Sequence, residues 1–396
     1  MKKIVLAYSG GLDTTVSIKW LQEKYNAEVI TATVELGQKE DLDEIASNAK
    51  KIGVLKHYSI DAKDEFVTDY VFPCIKANGF YEKKYPLSTA LARPLIASKL
   101  VEIANKENAF GVAHGCTGKG NDQVRFDVTV KALNPKLKVI APVREWNLSR
   151  DDELKFAKEK GLPVKEKTSV FSTDQNIWGR SIESGSLEDP NNEPPEDAFK
   201  WVNSIEKTPD KPDYLELGFE EGIPISINGE RMKGTEIISH VNEIAGNHGI
   251  GILDHMEDRL VGIKSREVYE CPAAVSIMEA HYDLEKLVLT RHELEFKANV
   301  ETQWVWLIYS GLWVDPLRDA LEAFIDVTQR KVKGKVKLKM FKGGLRVVSR
   351  SSSNSLYDTE LATYMSESTF DQRAAEGFIS IWGLASEIAK KKQLGN

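Results

Sequence analysis

Cysteine is scarce in this chain. Three cysteines occur among 396 residues, at Cys74, Cys116 and Cys271, and they lie far apart in the sequence. A disulfide framework needs paired cysteines, and a structural zinc site needs closely spaced ligands. The cysteine pattern therefore excludes both and indicates a reducing compartment.

Long hydrophobic runs are also absent. The most apolar stretch, Trp304–Trp313, has about ten residues, whereas a membrane-spanning helix needs about twenty. The start of the chain, Met1-Lys2-Lys3-Ile4, has neither the apolar core nor the cleavage site of a signal peptide. We therefore expect a cytoplasmic protein with no membrane partner.

Positive charge is not in excess. The 53 Lys and Arg residues oppose 60 Asp and Glu residues, which gives a net charge of −7. A dedicated nucleic-acid binder normally carries a basic surface, so we expect no nucleic-acid partner. With 41% hydrophobic and 29% charged residues the composition is that of a globular protein, and the length allows two or three domains.

Several common cofactor and catalytic motifs are missing. The chain has no Walker A loop, no Gly-x-Gly-x-x-Gly dinucleotide motif and no Gly-x-Ser-x-Gly elbow. His240, His248 and His255 do not have the i, i+4 spacing of helical zinc ligands. We therefore expect no metal site built by the protein alone.

The N-terminal end has a strand–turn–helix pattern. The apolar run Ile4–Tyr8 predicts a strand, Leu12–Lys24 predicts a helix, and "SGGLDTT" (Ser9–Thr15) spans the turn between them. Consecutive glycines allow positive φ angles and the close approach of a ligand. The free N–H groups and the dipole of a helix N-terminus favour a phosphate. The pattern therefore predicts a phosphate-binding loop.

The first third of the chain alternates predicted strands and helices. Further strands are predicted at Val29–Val34, Val54–Ile60, Phe110–His114 and Val139–Val143, and a helix at Leu42–Ile52 ends before Gly53. Repeated β-α units predict a Rossmann-like parallel sheet, which binds ligands at the carboxyl ends of its strands.

The pattern changes after about Lys165 and becomes α+β in character. We predict a loop, a strand, two helices, a hairpin and a last apolar helix, at Ser181–Pro195, Leu215–Phe219, Thr235–Gly246, Pro316–Gln329, Val336–Val348 and Phe370–Lys392. The predicted fold class is α/β, with a Rossmann-like parallel-sheet domain over 1–165, an α+β domain over 166–363 and a C-terminal helix over 364–396.

A second motif, "GCTGKGNDQVRF" (Gly115–Phe126), follows the predicted strand Phe110–His114. It therefore lies on the same rim of the sheet as the glycine loop. Thr117, Asn121 and Asp122 offer hydrogen bonds suited to the amine and carboxylate of an amino acid, and Arg125 offers a fork for a second carboxylate. The two motifs together predict an amino-acid substrate beside a phosphate.

These motifs carry a resemblance. "SGGLDT" resembles the PP-loop of the N-type ATP pyrophosphatases, which split ATP between its α- and β-phosphates. "GCTGKGNDQVRF" closely resembles the second signature of the argininosuccinate synthase family within that superfamily. Similar segments over most of the chain are "GQKEDLDE", "ALARPLIA", "VIAPVREW", "HGIG" and "GIKSREVYECPA".

The resemblance implies a reaction and its site residues. The family joins citrulline to aspartate through a citrullyl-adenylate, releasing AMP and pyrophosphate without a protein nucleophile, so no catalytic residue is expected. ATP would be bound by Ala7, Tyr8, Ser9, Gly10, Gly11, Leu12, Asp13, Thr14, Thr15, Val34 and Gly115. Citrulline would be bound by Tyr85, Asn121, Arg125, Ser172, Ser181, Glu257 and Tyr269. Aspartate would be bound by Thr117, Asn121 and Asp122.

The resemblance also implies Mg²⁺ on the phosphates and a homotetramer. The three predicted parts become an ATP-binding domain, a synthetase domain for citrulline and aspartate, and an oligomerisation helix. This chain departs from the family pattern at Ala90, where a serine is usual, and at Cys116, where a smaller residue is usual. Two alternatives stay open from the residues: another adenylating PP-loop enzyme, such as a tRNA-modifying one, and a nucleotide-binding module without chemistry.

Overall fold

The computed structural model describes residues 1–146, 150–164 and 170–395. Two compact units divide the chain, Met1–Asn354 and Ser355–Asn396. The predicted boundary at 165/166 lies outside the described residues, and the three-part division stays a prediction. Over the described ranges, no helix is long and apolar enough to cross a membrane.

The N-terminal part of the first unit alternates strands and helices. A π-helical turn at Val67–Val71 joins the third and fourth helices. The elements are β1 (Lys2–Ala7), α1 (Leu12–Tyr25), β2 (Ala27–Glu35), α2 (Leu42–Ile52), β3 (Lys56–Asp61), α3 (Lys63–Phe66), α4 (Phe72–Lys76), α5 (Ser88–Lys106), β4 (Gly111–Ala113), α6 (Asp122–Leu133), β5 (Lys138–Ile140), α7 (Pro142–Trp146) and α8 (Arg150–Glu159).

The rest of this unit is mainly antiparallel. Short 3₁₀ helices occur at Gly185–Glu188, Glu196–Ala198 and Ile205–Lys207. The elements are β6 (Ser172–Asn176), β7 (Gly179–Glu183), β8 (Asp213–Glu220), β9 (Ile223–Ile227), β10 (Glu230–Arg231), α9 (Gly234–Asn247), β11 (Ile252–Asp258), β12 (Lys264–Glu270), α10 (Pro272–Val288), α11 (Arg291–Tyr309), α12 (Pro316–Gln329), β13 (Gly334–Phe341) and β14 (Gly344–Ser351).

A parallel sheet positions the two sequence motifs. Its strand order is β3-β2-β1-β4-β5, and every neighbouring pair is parallel. The strand order reverses between β1 and β4, and the crevice at such a switch point is the usual ligand site of an α/β sheet. The glycine loop follows β1 and the second motif follows β4, so the predicted Rossmann-like arrangement is confirmed.

Two antiparallel sheets complete the α+β part. One has the order β11-β12-β7-β6 and the other β10-β9-β8-β13-β14. A large core joins residues from both predicted domains, including Leu91 on α5 and Trp304 on α11. Trp178, in the β6–β7 turn, is fully buried, and its Nε1 donates to the Pro86 carbonyl at 2.9 Å. The β6–β7 hairpin is thereby held against the segment that leads into α5.

Two local predictions in the first unit are wrong. The segment Ser181–Pro195 begins in strand β7 rather than in a loop, because Ile182 is buried in a small core while polar neighbours face the other side. The strand predicted over Val139–Val143 stops at Ile140, since Pro142 lacks an N–H for the ladder and starts α7 instead.

The second unit is helical. It contains α13 (Thr359–Ala362), α14 (Ala374–Trp382) and α15 (Leu384–Gln393). Gly383 separates α14 from α15, so the continuous helix predicted over Phe370–Lys392 is two helices. Phe378, Ile381 and Trp382 are exposed on α14.

Candidate active site

The glycine loop leaves the N-terminus of α1 open. Gly10 has φ +75°, which a β-carbon would strain, and Gly11 is the N-cap residue with no side-chain cap. The hydroxyls of Ser9 and Thr14 lie 3.2 Å apart at the mouth of this loop. The N–H groups of the first turn of α1 are therefore available to an anion, with hydroxyl donors beside them.

The neighbouring strands close around this loop. Gly115, after β4, lies so close to α1 that a β-carbon there would be 2.9 Å from Cγ2 of Thr14. On the other side, Thr33 of β2 donates through Oγ1 to the Tyr8 carbonyl at 2.5 Å, and the next residue, Val34, is buried. The structure thus brings the predicted ATP residues together along one edge of the sheet.

Hydrogen bonds with buried and partly buried side chains hold the loop of the second motif in place. Nδ1 of His114 accepts from the Cys116 N–H at 3.2 Å, and its Nε2 pairs with Asp127 at 2.7 Å. Gln123 donates to the Gly118 carbonyl at 2.6 Å and accepts from Arg144 at 2.9 Å. Burial raises the pKa of the Cys116 thiol to about 12, so this cysteine is not poised as a nucleophile. Thr117 is exposed at the tip of the loop.

Asp122, at the start of α6, lies between two arginines. Its Oδ2 accepts from Nε of Arg93 at 2.8 Å, and its Oδ1 accepts from Nη1 of Arg125 at 2.8 Å. Burial alone would raise the pKa of Asp122, but the two guanidinium groups outweigh it and lower the pKa. Arg93 also pairs with Asp174 of β6. The carboxylate is therefore held ionised and fixed in place.

Glu257, on β11, is the acidic centre of the site. It is 4% exposed. Its Oε2 accepts from the Tyr269 hydroxyl at 2.5 Å and its Oε1 from the Tyr309 hydroxyl at 2.6 Å. Burial raises the pKa of Glu257 against the opposing effect of these two phenols. Arg125 is buried nearby, and its charge also favours the ionised carboxylate.

Tyr85 packs on the same cluster. Its ring stacks on that of Tyr269 with centroids 4.5 Å apart. Its hydroxyl accepts from the N–H groups of Thr89 and Ala90 at 2.9 and 3.2 Å, and lies 2.7 Å from Oγ1 of Thr89. Burial raises the pKa of Tyr85 to about 12. Thr89 thus supplies a hydroxyl next to Ala90, where the family pattern has a serine.

The two remaining serines lie on one face of the β11-β12-β7-β6 sheet. Ser181 pairs in register with Tyr269, and its Oγ donates to the Asp174 carbonyl at 3.3 Å. Ser172 opposes Glu183. Directly opposed residues share a sheet face, and so do residues two apart on one strand, such as Ser181 and Glu183. Both serines therefore face the same side of the sheet as Tyr269. Over the described ranges, no hydrogen bond joins Ser172 to the other predicted ligands.

Comparison with known proteins identifies the chain. The model of the arginosuccinate synthase N-terminal HUP domain matches residues 3–163, and that of the arginosuccinate synthase C-terminal domain matches residues 171–389. The chain belongs to the argininosuccinate synthase family. This membership does not favour the two alternatives that the residues alone left open.

Curated argininosuccinate synthases match nearly the full length. The one from Pyrococcus furiosus is 59% identical, covering 98% of this chain and 94% of that protein. That from Geobacillus kaustophilus is 54% identical, covering 98% and 95%, and that from Pyrobaculum aerophilum is 54% identical, covering 99% of each. A solved structure described as a predicted subunit of tRNA methyltransferase from Methanocaldococcus jannaschii covers 40% of this chain and 77% of that one, at 17% identity and a TM-score of 0.28, too low for any argument.

Sequence reasoning missed three residues that contact the predicted ligand-binding residues or their neighbours. Arg93 holds Asp122, Tyr309 holds Glu257, and the ring of Tyr81 stacks on that of Tyr309 with centroids 3.4 Å apart. Arg93 had a signal, since a charged residue interrupts the apolar segment "ALARPLIA". Tyr309 had no such signal, because it lies at the end of an apolar stretch that is typical of a buried helix.

Proposed function

We propose that this chain joins L-citrulline to L-aspartate with ATP, giving argininosuccinate, AMP and pyrophosphate. The single observation that carries the proposal is the contact of two motifs at one switch point. The glycine loop after β1 touches Gly115 after β4, and the motif that begins there leads to Asp122 and Arg125. The loop proposed to bind phosphate and the residues proposed to bind the amino acids therefore lie on one rim.

The first step we propose is adenylation. The ureido oxygen of citrulline attacks the α-phosphorus of ATP, the α–β phosphate bond breaks, and pyrophosphate leaves. The open N-terminus of α1 and the hydroxyls of Ser9 and Thr14 suit the phosphates that leave. The protein needs no nucleophile, because the work is positioning and charge stabilisation.

The second step is attack by aspartate. Its uncharged amine attacks the adenylated carbon, the bond from that carbon to the AMP oxygen breaks, and the amine loses a proton. We propose that Thr117, Asn121 and Asp122 hold aspartate. The ionised, doubly paired carboxylate of Asp122 suits the ammonium form in which aspartate arrives.

We propose that citrulline occupies the cluster of Tyr85, Asn121, Arg125, Ser172, Ser181, Glu257 and Tyr269. The buried carboxylate of Glu257 and the guanidinium of Arg125 offer opposite charges to the two ends of an amino-acid group. Stacked Tyr85 and Tyr269 provide apolar walls for the aliphatic chain.

Mg²⁺ is proposed to accompany the triphosphate. This ion keeps several waters and is usually bound through phosphates and one or two carboxylates. Asp13, in the first turn of α1, is the carboxylate of the glycine loop and fits that role. Mg²⁺ would neutralise phosphate charge when bound, while the loop orients the nucleotide. A cytoplasmic homotetramer is the proposed working state.

The test is a product assay. Purified protein is mixed with ATP, Mg²⁺ and citrulline, with and without aspartate, and nucleotides and amino acids are followed by mass spectrometry. Argininosuccinate and AMP in equal amounts, only when both amino acids are present, support the proposal. ADP in place of AMP, or AMP without argininosuccinate in the complete mixture, contradicts it.

A further inference from the structure

Tyr309, the last residue of α11, forms hydrogen bonds with three of the proposed citrulline residues. Its hydroxyl accepts from Nδ2 of Asn121 at 2.7 Å and lies 2.6 Å from Oε1 of Glu257. Its carbonyl accepts from Nε and Nη2 of Arg125 at 3.1 and 2.9 Å. The residue is fully buried. One side chain and its own carbonyl thus tie β11 and α6 to the end of α11.

The single proton of the Tyr309 hydroxyl has a preferred acceptor. The Asp258 carbonyl lies 3.0 Å away, but the Glu257 carboxylate is closer, and a charged acceptor forms the stronger bond. Donation to Glu257 leaves the phenol oxygen free to accept from Asn121. The phenol therefore orients the carboxylate together with Tyr269, and it also orients the amide.

The amide of Asn121 is fixed at both ends. Nδ2 donates to Tyr309, and Oδ1 accepts from the Leu260 N–H at 2.9 Å. An asparagine side chain has two N–H donors and two lone pairs on its oxygen. One donor and one lone pair therefore remain for substrates, in directions that the Tyr309 phenol and the Leu260 N–H determine together.

Backbone contacts fix the position of Tyr309. The carbonyls at the end of a helix lack helical partners, and Arg125 occupies that of Tyr309. Gly311, with φ +79°, packs on α6 so closely that a β-carbon would lie 3.0 Å from Cα of Arg125. The ring of Tyr81 stacks on that of Tyr309.

We propose that Tyr309 is a positioning residue that orients Glu257 and Asn121 for citrulline without touching the substrate. This inference rests on the proposed function. It assigns a role in citrulline use to a helix end that the sequence motifs do not include.

The electrostatics provide a readout that a purely structural role would not move. The hydrogen bond from Tyr309 lowers the pKa of Glu257 against the rise caused by burial. The other titratable or charged groups around Glu257 are Tyr81, Tyr85, Arg125, Arg259, Glu267 and Tyr269. Removing the Tyr309 hydroxyl leaves them in place and raises the pKa of Glu257 further.

The experiment uses the full-length Tyr309→Phe variant, which keeps the ring and the carbonyl. Loss of a hydrogen bond to a charged group should raise the KM for citrulline about 10-fold or more, with the KM for ATP within about 2-fold. The acid limb of the kcat/KM profile for citrulline should move to higher pH. Tyr214→Phe, at an exposed tyrosine on β8, is the matched control and should change neither.

The outcomes separate the inference from the proposed function. A wild-type protein that makes no argininosuccinate overturns both. An active wild type, with an unchanged citrulline KM and acid limb in Tyr309→Phe, overturns the inference alone. Equal rises in the KM for ATP and citrulline, with no movement of the acid limb, also overturn it, because they indicate general loosening of the fold.

Discussion

Asp122 and Arg125 form one ion pair, with Oδ1 of Asp122 2.8 Å from Nη1 of Arg125. The two residues lie one turn apart on α6, so their side chains meet on the same face. Asp122 is proposed for aspartate and Arg125 for citrulline. The proposed aspartate and citrulline sites, which share Asn121, are therefore also joined by this ion pair, and a change in one is expected to reach the other.

Arg125→Ala should impair the use of both amino acids while ATP still binds. Arg125 is proposed to bind the citrulline carboxylate, and loss of a buried charged partner costs about 2–5 kcal/mol of binding, so kcat/KM for citrulline should fall about 30-fold or more. The aspartate KM should also rise, because Asp122 loses one of its two arginines. Steady-state kinetics and ATP titration calorimetry measure these effects. Arg350→Ala, at an exposed pair with Asp283, is the control. An equal loss of ATP affinity would contradict the assignment.

Gly115→Ala should selectively weaken the binding of ATP. The new β-carbon would lie 2.9 Å from Cγ2 of Thr14. Overpacking costs about 1–3 kcal/mol, which corresponds to a rise of about 5- to 150-fold in the KM for ATP. Thr14→Ser removes the clashing methyl but keeps the hydroxyl, so the double variant should recover most of the loss.

A control for this steric prediction is Gly377→Ala on α14, where a β-carbon meets nothing within 4 Å. It should leave the KM for ATP unchanged. If Thr14→Ser gives no recovery in Gly115→Ala, the loss does not come from this contact.

Glu107→Gln should reduce stability at neutral pH and lose its effect in acid. Hydrogen bonds from Tyr58, Lys56 and Lys3 lower the pKa of Glu107 from 4.5 to about 2. Because the unfolded state takes up the proton first, this contribution is complete above about pH 4.5 and is lost as the pH falls towards 2. The thermal unfolding midpoints of the wild type and of Glu107→Gln, measured from pH 7 downward, should converge in that pH window. Glu243→Gln, at an exposed position, should show no such trend.

Charged residues on α14 should break the proposed homotetramer. Ile381 and Trp382 are 78% and 70% exposed, and apolar side chains of this size on one short helix favour burial against another chain. The double variant Ile381→Glu, Trp382→Glu should elute as a smaller species, with its mass determined by light scattering. Ser386→Glu on α15 should leave the mass unchanged. A wild type that is already monomeric would contradict the proposal.

Local sequence signals predicted the parts that depend on neighbours in the chain. The strand–glycine–helix pattern around Gly10 and Gly11 placed the glycine loop between β1 and α1, and the β-α alternation placed it on a parallel sheet. These features succeed because backbone freedom at glycine, helix ends and apolar periodicity are local properties. The errors at Ile140 and Ser181 arose where a proline and a buried hairpin decided the element.

By itself, the sequence determined the family, the parallel sheet and the identity of the polar groups on its rim, because motif and periodicity are written in consecutive residues. Only the tertiary structure decided that Arg93 fixes Asp122 and that Tyr309 fixes Glu257 and Asn121. Tyr309 is 188 residues from Asn121 in the chain. Contacts of that separation form where the C-terminal end of α11 meets α6 and β11, and the spacing of residues within either segment carries no record of them.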